Sequence, residues 1–105
     1  VSTHGARQLD RVVASADALE EIATAVDGRA EVWVDGGIER GLDILVARAL
    51  GATGVMIGRP FFYALAAAGS AGVERAAAIL REELEIALPL LGVASLAEIE
   101  RSHAR

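Results

Sequence analysis

The amino-acid sequence predicts an α/β fold built on a parallel sheet. Short, continuously apolar runs alternate with helical patterns, and neither run shows the polar alternation of a sheet with one wet face. Glycines directly after each run mark where a strand gives way to a helix.

Taken in order, residues 1–10 read as the end of a strand entering a loop. Asp17 and Glu20 have the spacing of a capping box, and Leu19, Ile22, Ala23 and Val26 then recur at helical intervals until Asp27-Gly28 stops the helix. Glu31-Val-Trp-Val-Asp35 is a β-branched and aromatic run, hence a buried strand with Trp33 in the core, and Asp35-Gly36-Gly37 ends it. Leu42, Leu45, Val46, Ala49 and Leu50 form one apolar helical face, with Gly51 suited to the left-handed position after the helix. Gly54-Val-Met-Ile-Gly58 is the second buried strand, with Met56 in the core. Pro60 fits the first turn of a short helix. Ser70 opens a long amphipathic helix carrying Val73, Leu80, Leu84, Ala87, Leu88 and Leu91, and Pro89 should kink its last turns. Ser95-Leu-Ala-Glu98 is a further capping box before a final short helix and a polar tail. Two strands do not make a stable parallel sheet, and the first residues imply a third strand before Val1.

A length of 105 residues allows one domain at most. Its 53% apolar content predicts a surface buried against a partner or against a remaining part of the same protein. A formal charge of −5 argues against nucleic-acid binding, which needs a basic stripe. There is no cysteine for disulfides or thiolate metal sites, and no His/Asp/Glu spacing suggests a metal. No apolar run reaches the ~18 residues of a membrane span, and the first residues lack a signal-peptide pattern. A soluble, cytoplasmic protein is expected.

Three segments fall at the C-terminal ends of strands, the edge where α/β folds bind ligands: residues 2–7, 35–40 and 58–60. His4 takes a proton near neutral pH, and Arg7, three residues on, grips a carboxylate bidentately. The pair suits a small carboxylate substrate, although a lone loop histidine is also commonly structural. Gly58-Arg59-Pro60 leads from strand to helix and makes either a phosphate site or a tight turn with a surface arginine. Asp35-Gly36-Gly37 lets a backbone approach a ligand while Asp35 accepts hydroxyl hydrogen bonds, or it is a glycine turn with Asp35 as helix cap. His103 and the Glu82, Glu83, Glu85 cluster read as solvated.

On these residues the chain resembles the C-terminal part of the FMN-dependent α-hydroxy-acid oxidase and dehydrogenase family. The motifs are Ser-x-His-Gly-x-Arg-Gln-Leu-Asp from Ser2, Asp-Gly-Gly-Ile-x-Arg-Gly-x-Asp from Asp35, Ile-Gly-Arg-Pro from Ile57, and the helix beginning at Arg81. The likeness runs from Val1 to about Ile99. It implies a (β/α)8 TIM barrel of roughly three times this length, with residues 1–105 as the C-terminal third of one barrel domain, from the end of strand 6 to helix 8. It implies oxidation of a small L-2-hydroxy acid to the 2-oxo acid. His4 is then the base and also touches substrate, and Arg7 binds the substrate carboxylate. Ser2, Asp35, Gly36, Gly37, Ile38, Gly58 and Arg59 hold FMN. Whether His4 takes the hydroxyl proton during hydride transfer or the α-proton to give a carbanion stays open. The implied partners are the hydroxy acid, the missing N-terminal part of the barrel, and further copies in a homo-oligomer, a tetramer. The fragment alone is expected to be inactive.

The chain departs from the family pattern at Thr3, usually Asn, and at Val13, usually Pro. It departs also at Glu39, usually an arginine that helps hold the phosphate. A carboxylate at Glu39 repels phosphate unless it turns away or pairs with Arg40. Two alternatives accompany the main reading: an FMN barrel of the same superfamily with different chemistry, and a non-catalytic half-barrel acting as an interaction module.

Overall fold

The computed structural model describes residues 1–104. Its elements are α1 (Ser15–Val26), β1 (Trp33–Asp35), α2 (Gly41–Ala49), β2 (Gly54–Met56) and α3 (Arg59–Leu90), with single 3-10 turns at His4–Ala6, Leu96–Glu98 and Arg101–His103. The α/β order is the one the glycine punctuation predicts.

β1 and β2 pair in parallel, with Trp33 opposite Gly54, Val34 opposite Val55 and Asp35 opposite Met56. Val1 extends the sheet on the other edge of β1. The Asp35 N–H donates to the Val1 carbonyl at 3.1 Å, and the Val1 nitrogen donates to the Trp33 carbonyl. The Val32 carbonyl, directed to the opposite side, accepts from Thr53 N–H at 2.7 Å. Backbone groups alternate sides along a strand, so the spatial order is Val1, β1, β2.

One face of this sheet is covered. Leu19 of α1, Val32 and Val34 of the β1 segment, Ile38, Ala47 of α2 and Ala52 form a single core. On the other face Trp33 is 45% and Met56 49% exposed, which corrects the expectation that both lie in the core and that each face is covered. The reason is the period of two along a strand: Val34 points to the helices, so its neighbour Trp33 points away from them.

α2 is the hub. Ala47 faces the sheet, while Leu45 and Ala49 pack with Ala87 of α3 and Ile99 in a second cluster. Wedged in this way, the helix leaves Leu42 and Val46 exposed, although both belong to the apolar face read from the sequence. Gly41 permits the α2–α3 contact: a Cβ there would stand 2.6 Å from the Glu83 Cβ and 3.0 Å from the Leu80 carbonyl oxygen.

Four further expectations change. α1 begins at Ser15 with Ala14 at the cap position, placing Asp17 inside the first turn. Glu20 is drawn elsewhere, accepting from Arg101 Nε at 2.7 Å and Nη2 at 3.1 Å, so no capping box forms. α3 breaks at Ala68 and Gly69 (φ +59), which separates the short helix at Pro60 from the long one at Ser70, as expected. Pro89, however, introduces no kink. It sits in the last turn, where a Schellman motif already ends the helix: Gly92 (φ +77) donates to the Pro89 carbonyl and Val93 to that of Leu88. Ser95 Oγ donates to Glu98 Oε1 at 3.0 Å, but only one 3-10 turn follows. His103 is half-buried, its Nδ1 accepting from the Glu100 N–H at 2.9 Å. No helix among the described residues is long and apolar enough to cross a membrane.

Candidate active site

The first loop turns left-handed. His4, Gly5 and Ala6 have φ of +53°, +61° and +59°, a conformation that only glycine adopts without steric cost. The turn is closed by Ala6 N–H donating to the Thr3 carbonyl (3.0 Å) and Arg7 N–H to that of His4 (3.2 Å). Ser2 fastens it to the sheet: its hydroxyl accepts from the His4 N–H at 3.0 Å and donates to Asp35 Oδ2 at 2.7 Å. His4 Nδ1 lies 2.8 Å from Gln8 Oε1. A carbonyl oxygen only accepts, so Nδ1 carries the hydrogen, which in the neutral tautomer leaves the lone pair on Nε2. Strain stored in such a turn persists only where the surroundings hold it, a common property of functional loops.

This loop and the two strand-to-helix corners enclose a cavity of about 620 Å³. The loop contributes His4 and Arg7, the β1–α2 corner Asp35, Gly36, Gly37 and Ile38, and the β2–α3 corner Gly58 and Arg59. Every residue singled out in the sequence therefore lines one cavity except Ser2, which acts behind it as a strap. Met56 and Phe62 line it too and were missed. The signal for Met56 is its parallel partner: a residue opposite Asp35 shares its face. The signal for Phe62 is its place three residues after Arg59, one helical turn on.

The cavity has specific polar demands. Asp35 Oδ1 is buried without a hydrogen-bond partner, so it fits a hydroxyl donor from a ligand. Asp35 does not cap α2; the cap position belongs to Arg40. Gly36 and Gly37 run at φ +91° and +80°, bringing bare backbone past Asp35. The start of α2 is closed to anions. Asp43 Oδ2 accepts from the N–H groups of Glu39 (2.9 Å) and Arg40 (2.8 Å), and Glu83 Oε2 from that of Gly41 (2.6 Å). Arg40 Nε donates to Glu83 Oε1 at 2.7 Å, which corrects the reading of Glu83 as merely solvated. This hydrogen bond, joined by the Gly41 N–H, holds the Glu83 carboxyl below the usual range and raises Arg40. The start of α3 is open by contrast. No side chain caps it; the Phe61 and Phe62 N–H groups turn to the Gly58 carbonyl (3.1 and 3.2 Å) and Pro60 has none, so the backbone at Gly58 and Arg59 and the Arg59 side chain are what it offers, and no atom within 4 Å of Gly58 would meet a Cβ. An anion with a hydroxylated chain fits such a surface: hydroxyls at Asp35, the charge at Gly58 and Arg59.

The family model described as FMN-dependent dehydrogenase matches residues 1–105. The chain is 55% identical over 103 residues to glycolate oxidase 1 of Oryza sativa subsp. indica, covering 98% of this chain and 28% of that protein. It is 53% identical to glycolate oxidase of Spinacia oleracea with the same coverage. Among solved structures, a flavocytochrome b2 mutant with benzoylformate superposes with a TM-score of 0.91 at 47% identity, over 97% of this chain and 27% of that one. A mandelate oxidase mutant with (S)-mandelic acid superposes with a TM-score of 0.92 at 50% identity, over 96% and 30%. The chain thus spans about 28% of the length of the curated relatives it matches.

Proposed function

The chain belongs to the FMN-dependent dehydrogenase family, and from that premise we propose that it is the C-terminal segment of a (β/α)8 barrel, end of strand 6 to helix 8. In the full-length protein this barrel oxidises a small L-2-hydroxy acid to the 2-oxo acid. The observation that carries the proposal is the single cavity joining His4 and Arg7 to the Asp35 and Gly58 corners. The names of the relatives, glycolate oxidase and mandelate oxidase, support the substrate class.

FMN fits the residues present. The buried, unpartnered Asp35 Oδ1 suits a ribityl hydroxyl, and the uncapped start of α3 with Arg59 suits the phosphate. When bound, FMN supplies the acceptor for the two electrons. Arg7 clamps the substrate carboxylate and fixes the orientation of the α-carbon. His4 takes, on Nε2, the proton released as the hydroxyl becomes a carbonyl. The Nδ1 hydrogen bond to Gln8 fixes the tautomer of the neutral ring, so that Nε2 is the nitrogen that accepts the proton. Ser2 holds the His4 loop against Asp35, so base and cofactor cradle are set by one hydroxyl. The open face at Trp33 and Met56 is the surface that the remaining barrel covers, and the 105-residue segment alone is inactive. The full-length protein assembles as a homo-oligomer.

The test is flavin absorbance and its bleaching under anaerobic glycolate, lactate or mandelate. Full-length protein should purify yellow or take up FMN, and one of these acids should reduce it. Arg7→Ala should retain flavin and lower kcat/KM by at least about a hundredfold, the worth of a charge-assisted fork. Protein that stays colourless with added FMN, or an Arg7→Ala variant with native turnover, would overturn the assignment.

A further inference from the structure

Glu39 is the one lining carboxylate of the cavity to which the reaction gives no task. Its backbone N–H is engaged by Asp43, but its own carboxylate has no hydrogen-bond or ion-pair partner among the described residues. Arg40, the adjacent cation, is turned to Glu83 and does not neutralise it. Nor does the start of α2 compensate, because the N–H groups of Glu39, Arg40 and Gly41 are already held by Asp43 and Glu83. An anion entering this cavity meets two guanidinium groups, Arg7 and Arg59, the first given to the substrate carboxylate in the reading above, and the carboxylates of Asp35 and Glu39. Glu39 and Arg59 line the same cavity, and the screening length in 0.1 M salt is ~10 Å, so both charges act on an anion held there.

We propose that Glu39 sets the phosphate selectivity of the flavin site, so that this protein holds FMN little more tightly than riboflavin. The inference rests on the flavin reading above and deepens it. The Asp35 corner, which addresses hydroxyls, binds both flavins alike. Only the phosphate senses Glu39, and there the attraction of Arg59 and the uncapped α3 start is offset by repulsion from a fixed negative charge.

Titration of the full-length apoprotein with FMN and with riboflavin, followed by quenching of flavin fluorescence, tests this. For the native protein the two dissociation constants should agree within about tenfold. Glu39→Gln, isosteric and solvent-exposed, should tighten FMN about tenfold and leave riboflavin unchanged. Glu39→Arg should tighten FMN further, and the gap between native protein and Glu39→Gln should shrink at high salt. An FMN affinity unaltered by Glu39→Gln and Glu39→Arg, or an equal change for riboflavin, would overturn the inference while leaving the flavin site standing. Failure of every form to bind either flavin would overturn both.

Discussion

The starts of α2 and α3 lie at the same edge of the sheet, each one glycine-rich turn beyond a parallel strand, yet their electrostatics are opposite. At α2 the terminal N–H groups are held by Asp43 and Glu83, two carboxylates of the chain itself. At α3 the corresponding position is uncapped, with Gly58 and Arg59 facing a cavity. A helix start has a fixed appetite for negative charge. Whether that appetite is met by the fold or left for a ligand is decided by residues elsewhere, here by Glu83, 42 residues from Gly41. On the proposed reading, the closed corner serves stability and the open one serves binding.

Substitutions that separate those two duties test the contrast. The largest effect is expected at the open corner: Arg59→Ala should weaken FMN binding to the full-length protein by about 10- to 100-fold, the worth of a charged hydrogen bond, with little change in melting temperature. Flavin titration beside thermal unfolding reads both. At the closed corner the pattern should invert. Gly41→Ala drives a methyl to within 2.6 Å of the Glu83 Cβ, which should destabilise the protein by about 1–3 kcal/mol by overpacking, seen in denaturant midpoint. Equal flavin affinity in the folded variant is expected; a loss confined to flavin would break the contrast. The smallest effect concerns pH. The Glu83 carboxyl is lowered by Arg40 and the Gly41 N–H, so its stabilisation is fully present above the unfolded glutamate pKa of about 4.3. It is lost as pH falls through the lower folded value. Glu83→Gln should accordingly be less stable than native at neutral pH and converge with it in acid.

What the sequence made legible was local. Glycine after each apolar run, proline at the first turn of α3 and the His4–Arg7 spacing all follow from one or two residues and their neighbours, and they located the cavity. What it hid was long-range. Nothing near Glu83 in sequence announces Arg40 or Gly41, so the glutamate cluster reads as solvated. Likewise Asp17 and Glu20 have capping-box spacing, but Arg101, 81 residues away, claims Glu20. An apolar strand also does not say what covers its second face, which is why Trp33 and Met56 were assigned to the core. Pro89 departs from its expectation for a different reason: a proline bends a helix only where the helix would otherwise continue.

Trp33 gives that open face a practical value. It is the single tryptophan of the 105 residues, its ring lying against Gly54 and its Nε1 donating to Glu31 Oε2 at 2.9 Å. Its emission is therefore a one-residue optical gauge, within these 105 residues, of whether that face is wet or covered. The spectrum is red-shifted while water reaches the indole and moves to the blue when another layer covers the sheet.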